Sequence, residues 1–253
     1  MTMKKILLTS FMLVCALAMG QAQTLERVSP ESVGLDATRL QNADAAINKA
    51  IEQKDIPGAV LAVVRHGKMA YIKAYGNKRV YPKNEPMEIG TVFDMASCSK
   101  AMSTAVCAMT LIDQGKIRLM DRVSQYIPGF EGWTDEKGEK TSIRIIDLLT
   151  HTSGLPAYAD ANKLKEKYGT PNRDGLIDYI AHCKRNFAPG TDMTYSCLNF
   201  ITLQRIIETV SGEDLRAYAH HHVFDLLGMK NTDYCPSKAM AKLCAPTEKQ
   251  PDG

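Results

Sequence analysis

Several things are scarce in this chain, and each scarcity excludes something. Its 253 residues carry 31 basic and 28 acidic side chains, a formal net charge of only +3. That balance, with no basic cluster, leaves no surface for nucleic acid or anionic lipid. No CxxC pair occurs among the seven cysteines, so zinc-type ligand spacing is absent. There is no G-x-S-x-G, which argues against the nucleophile turn of an α/β-hydrolase. After residue 19 no apolar run approaches the ~20 residues that a spanning helix needs. No internal repeat or low-complexity tract is visible. Hydrophobic residues make up 45%, enough for an ordinary globular core.

The N-terminus has a pattern of its own. Lys4 and Lys5 precede the apolar run Ile6 to Met19, and Gly20-Gln21-Ala22 has small-x-small spacing. Residues 1–22 therefore read as a signal peptide cleaved between Ala22 and Gln23. A membrane anchor would need a longer run, and Val14 fits poorly before a lipidated Cys15. A secreted, periplasmic or cell-surface protein without a stable membrane span is expected. Losing Lys4 and Lys5 takes the formal charge from +3 to +1. Export permits disulfides among Cys98, Cys107, Cys183, Cys197, Cys235 and Cys244. A core of this size does not need them, so most are expected to be free, small and buried.

Along residues 23–92 the pattern predicts a helix and a β-hairpin. Asp36 is placed to cap a helix from Ala37 to about Gln53, with Leu40, Ala43, Ile47 and Ile51 at helical spacing. Ala59–Arg65 and Lys68–Tyr75 read as strands joined by a His66-Gly67 turn. Residues 77–90 read as a loop. From 93 to 253 the chain reads as mainly helical. A helix from Ser97 to about Gln114 is apolar nearly all round, as a core helix is. Further helical segments are expected over Ile143–Leu149 and Asn199–Val210, followed by one opened by Ser211 and Asp214 and ended by Gly228. Residues 131–140 and 159–175 are polar, and read as loops.

Within this frame Ser97-Cys98-Ser99-Lys100 forms an S-x-x-K motif. By itself it is weak, since about one chance match is expected in a chain of this length. Its placement adds value: Ser97 opens the apolar helix, and Lys100 lies one turn on, on the same face. Burial and the positive helix end would both lower the pKa of the Lys100 amine, so that it could take the Ser97 proton. The plainer alternative is that Ser97 caps the helix and Lys100 reaches out to water.

Four segments decide between these readings. FDMASCSKAMST (Phe93 to Thr104), LLTHTSGL (Leu148 to Leu155), FAPGTDMTYSCLNF (Phe187 to Phe200) and FDLLGMKNT (Phe224 to Thr232) fall in one order and spacing. Together they resemble the serine beta-lactamase and penicillin-binding-protein family, close to class C beta-lactamases, related esterases and D-amino-acid peptidases. The resemblance implies an α+β fold, an antiparallel sheet with flanking helices plus an all-helical part. It implies that Ser97 is acylated, that Lys100 deprotonates or orients it, and that Tyr195 relays a proton to the leaving group. The Ser97 backbone N–H would supply half of an oxyanion hole. Small esters, amides or D-amino-acid peptides are the implied substrates, with beta-lactams as pseudo-substrates and peptidoglycan peptides as partners. No metal or organic cofactor is called for.

Two departures from the family pattern stand out. The asparagine two residues after the tyrosine is Cys197 here, a weaker donor than an amide. Asn199, four residues from Tyr195, is the nearest substitute for contact with a substrate. The literal Tyr75-Gly76-Asn77 precedes the nucleophile and reads as a turn. The second departure is the missing K/H-[ST]-G motif, which the family carries on a later strand. Residues 23–253 therefore read as an incomplete domain, lacking its C-terminal strands. The rival expectations are a non-catalytic cell-wall peptide-binding homologue and an inactive fragment. His151 reads as a loop hydrogen-bonder, Trp133 as a partly buried anchor and His220-His221-His222 as a surface run whose side chains diverge.

Overall fold

The computed structural model describes residues 25–169 and 172–249, so the expected signal peptide lies outside the described residues. The chain is α+β and divides into two compact units, one formed by residues up to Met95 together with those from Gly228, the other by Ala96–Leu227.

The first unit begins with the expected helix. The Asp36 carboxylate accepts from the N–H groups of Thr38 and Arg39 and starts α1 (Ala37–Glu52). Strands β1 (Gly58–Arg65) and β2 (Lys68–Arg79) form an antiparallel hairpin in which Arg65 faces Lys68. The two-residue turn between them places His66 and Gly67 at positive φ (53° and 71°), matching the twist of the strands. The sheet order is β1-β2-β3, the third strand being the short Glu85–Pro86. That strand lies inside the stretch expected to be loop.

Strand β2 runs through Tyr75-Gly76-Asn77, which had read as a turn. Gly76 explains the difference. Its φ is +61°, and an added Cβ would sit 2.5 Å from the Pro57 carbonyl oxygen. It faces Gly58 across the ladder, so glycine here serves close backbone approach rather than chain reversal. Helix α1 is tied to the hairpin through Asp44. Its Oδ1 accepts from the hydroxyls of Tyr71 and Tyr75, and Lys73 donates to Oδ2 at 2.7 Å. The chain from Gly228 rejoins this unit on either side of Cys244, where the Val92 N–H donates to the Leu243 carbonyl and the Val92 carbonyl accepts from the Ala245 N–H.

The second unit is mostly helical. Lys100–Ala105 is a π-helical stretch that passes into α2 (Val106–Asp113). Then follow β4 (Trp133–Thr134) paired with β5 (Lys140–Thr141), and the helices α3 (Ile145–Leu149), α4 (Ala161–Tyr168), α5 (Arg173–His182), α6 (Cys197–Ser211) and α7 (Leu215–Ala219). A π-helical turn, His220–Phe224, continues α7. Helix α6 is the hub and packs against α2, α3, α5 and α7. The Ser196 hydroxyl caps it and Gly212, at φ 76°, ends it. Leu198, Leu203, Ile206 and Ile207 on α6 meet Cys107, Leu111, Leu148, Ile180 and Tyr218 in a buried core, each large side chain contributing about 1.5–3 kcal/mol.

Several expectations change here. The helix from Ser97 is not one α-helix and is not buried all round, since Met102 and Met109 are 47% and 61% exposed. Residues 159–175, expected as loop, contain α4 and the start of α5. Asp160 and Asn172 cap these helices, and capping prevails over a polar, glycine-bearing composition. Trp133 is half-buried in the β4–β5 ladder, within the expected charged loop. Asp214 caps α7 as expected, but Ser211 belongs to the end of α6. The histidine run does not diverge fully, because His221 and His222 both reach Glu213. Cys98, Cys107, Cys183, Cys197 and Cys244 are free thiols, but only Cys107 among them is buried.

Candidate active site

The second unit brings Ser97, Lys100 and Tyr195 together. Ala96 has φ +42°, so the backbone turns sharply just before Ser97, which is exposed. The carbonyl of Ser97 accepts from the Lys100 N–H at 3.1 Å, winding the segment into its helical start. That turn carries the Lys100 side chain back onto Ser97, and Nζ donates to Oγ at 3.1 Å. Nζ also lies 5.3 Å from the ring centre of Tyr195. The Tyr195 hydroxyl interacts with both the Lys100 amine and the Ser97 hydroxyl.

The amine does not behave as its burial alone suggests. Desolvation pulls the Lys100 pKa down, but Tyr195 and Cys197 together outweigh it, and the net direction is up. This corrects the expected lowering: the polar partners of a half-buried lysine favour its charged form more than partial burial disfavours it. Tyr195 moves the other way. Lys100 first, then Ser97, pull its pKa below 10.0 against some desolvation. The site thus favours an ammonium and an acidified phenol side by side.

Cys197, the first residue of α6, is half-buried and interacts with the Lys100 amine. Its backbone N–H donates to the Ala157 carbonyl at 3.0 Å. Asn199 is elsewhere engaged. It is fully buried, its Oδ1 accepts from Ser153 Oγ at 2.6 Å, and its Nδ2 meets His151 Nδ1 at 3.0 Å. Both ends of the amide are therefore occupied inside the protein, against the expectation of a substrate contact.

His151 and Ser153 were not singled out as site residues, although they lie in the LLTHTSGL segment. The His151 ring packs against Tyr195 at 4.5 Å between centroids and against Phe200 at 5.3 Å. The available signal was a run of polar residues, His151 to Ser153, following the apolar Ile143–Leu149 stretch.

Comparison with known proteins gives the family and several relatives. The beta-lactamase family model matches residues 43–253. An N-acetylmuramyl-L-alanine amidase of Bacillus subtilis is 32% identical over 221 residues, covering 83% of this chain and 49% of the relative. Among solved structures, EstCE1, a hydrolase with promiscuous acyltransferase activity, is similar with a TM-score of 0.71 and 29% identity, over 81% of this chain and 55% of that one. A class C beta lactamase is similar with a TM-score of 0.69 and 25% identity, over 84% and 56% respectively. The chain thus spans about half the length of these relatives. No helix among the described residues is long and apolar enough to cross a membrane. With its family match over most of the sequence and the serine, lysine and tyrosine gathered in one unit, this chain belongs to the beta-lactamase family.

Proposed function

We propose that this chain carries the acyl-transfer site of an exported serine hydrolase, with Ser97 as nucleophile. The observation that carries the reading is the meeting of Ser97 Oγ, the Lys100 amine and the Tyr195 phenol within one compact unit. The two opposed pKa directions divide the labour. Lys100 keeps its proton and lends positive charge to the site, while the phenol gives up its proton more readily than usual. In its ionised form the Tyr195 oxygen takes the proton of Ser97 as Oγ attacks the substrate carbonyl. That proton then passes to the departing alcohol or amine, leaving the acyl group on Oγ. Water attacks the ester so formed, giving a proton to Tyr195, which returns it to Oγ as the acyl–oxygen bond breaks; the acid product leaves with Ser97 and the ionised Tyr195 both restored.

The substrates of this reading are small esters, amides or D-amino-acid peptides, peptidoglycan peptides included, with beta-lactams as pseudo-substrates. The amidase, hydrolase and beta-lactamase names of the relatives support that range. Export rests on the signal-like residues 1–22, and the N-terminal sequence of the secreted protein tests it. The catalytic reading is tested with a fluorophosphonate probe. Wild type should be labelled and Ser97→Ala should not; equal labelling of the two would remove Ser97 from the mechanism.

A further inference from the structure

His151 holds a left-handed backbone conformation, φ 61°, in which a residue other than glycine needs support from its surroundings. The support is concentrated around Tyr195. The His151 carbonyl accepts from the Thr194 N–H at 3.1 Å. The His151 Nδ1 accepts from the Ser196 N–H at 3.2 Å. The two residues flanking Tyr195 are thus bonded to one histidine, whose ring lies 4.5 Å from the Tyr195 ring.

A buried chain of hydrogen bonds fixes the tautomer. The Leu155 N–H donates to Ser153 Oγ at 3.1 Å, so that hydroxyl turns its own proton to Asn199 Oδ1 at 2.6 Å. With Oδ1 committed as acceptor, Asn199 Nδ2 is the donor to His151 Nδ1. Two N–H groups therefore converge on Nδ1, which must be unprotonated, and the ring proton sits on Nε2. Ser153 and Asn199 are 1% and 0% exposed, so water does not compete for these bonds.

We infer that His151 is the positioning residue for Tyr195, gripping the chain on both sides of it and packing on its ring so that the phenol oxygen is aimed at Ser97 and Lys100. The inference rests on the proposed roles of Ser97 and Tyr195. Groups facing the imidazole are Lys100 from the nucleophile segment, Tyr195 itself, and the uncharged Asn199 and Phe200 of α6. Burial, and secondarily Lys100, hold its pKa below 6.5, which keeps Nδ1 an acceptor near neutral pH. No proton passes through His151 in this role.

The test uses the full chain and the fluorophosphonate probe. Glycine adopts the required φ without strain, so His151→Gly removes the ring while keeping the backbone path. Labelling of this variant should be about 10²-fold slower, the cost typical of a misplaced reacting group. Imidazole added to solution should restore much of the rate in a saturable way and leave wild type unchanged. His151→Asn, which also tolerates positive φ, should be slowed with little change in melting temperature. Labelling of both variants at the wild-type rate would overturn the positioning role while leaving Ser97 as nucleophile. A slow rate that imidazole does not move would also overturn it, as the mark of a merely structural defect. Labelling of Ser97→Ala like wild type would instead overturn the catalytic reading itself.

Discussion

Lys100 and Tyr195 press each other's acidity in opposite directions: the amine, 5.3 Å from the ring centre, is held more basic and the phenol more acidic than usual. For the amine this happens against burial, which is the largest single influence and acts downward. Each group is thus part of what sets the other's ionisation.

The first prediction follows from that coupling. The acylation rate of wild type should rise with pH through an ionisation below 10.0, the ordinary value for tyrosine. In Lys100→Met the phenol loses the positive charge that favours its ionised form, so the same ionisation should move up. Tyr195→Phe should slow acylation by about 10²–10⁴-fold, the usual range for losing a general base, and should erase this limb. Pre-steady-state labelling across pH measures all three. An ionisation that stays in place in Lys100→Met would sink the coupling.

Much of this was legible in the sequence, for reasons that can be named. Asp36 before a periodic apolar stretch predicts α1, and the turn at His66-Gly67 predicts the hairpin, because both signals are local. Ser97 and Lys100 are close in sequence, so their contact follows from helical spacing. Tyr195 is distant, and only the family resemblance linked it to them. The Asn199 amide escaped a correct reading because its partners, His151 and Ser153, lie more than forty residues away. The sign of the Lys100 shift is not legible in the sequence, because burial shows in the pattern and the polar neighbours Tyr195 and Cys197 do not. Helices α4 and α5 are hidden in the sequence because their caps, Asp160 and Asn172, look like any other polar loop residue until the N–H groups they accept from are seen.

Cys197 carries the second prediction. Its side chain interacts with the Lys100 amine where an amide would offer two donors and an acceptor, and a thiol offers only a weak donor. Cys197→Asn should raise turnover of amides relative to esters, since the poorer leaving group depends more on polar contacts at the site. Parallel assays of an ester and the matching anilide give the ratio. An unchanged ratio would take Cys197 out of substrate selection.

The third prediction concerns the loop that carries His151. Gly154 has φ 76°, and a Cβ there would sit 2.2 Å from the Phe187 carbonyl oxygen. Its own carbonyl accepts from the Asn186 N–H at 2.7 Å, holding the loop against the segment that leads to Tyr195. Gly154→Ala must therefore push the two apart, at a cost on the order of 1–3 kcal/mol for the strained backbone. Both the melting temperature and the labelling rate should fall. A variant that melts lower yet labels normally would mean that this loop contact does not reach the site.

The last prediction tests what holds the first unit together. The Asp44 carboxylate accepts from Tyr71 and Tyr75 and pairs with Lys73. The Lys73 bond above all, then those from the two tyrosines, lower its pKa from 3.8 to about 2. The folded chain therefore binds the proton less readily than the unfolded chain does. The stabilisation is fully present above the unfolded value, 3.8, and is lost as pH falls through about 2. Asp44→Asn lacks the charge at every pH. The gap in melting temperature between wild type and Asp44→Asn should be widest at about pH 6 and should close as the pH approaches 2. Thermal melts at a series of pH values decide the matter. A gap that stays constant down to pH 2 would mean that Asp44 ties α1 to β2 by shape and neutral hydrogen bonds, with no contribution from its charge.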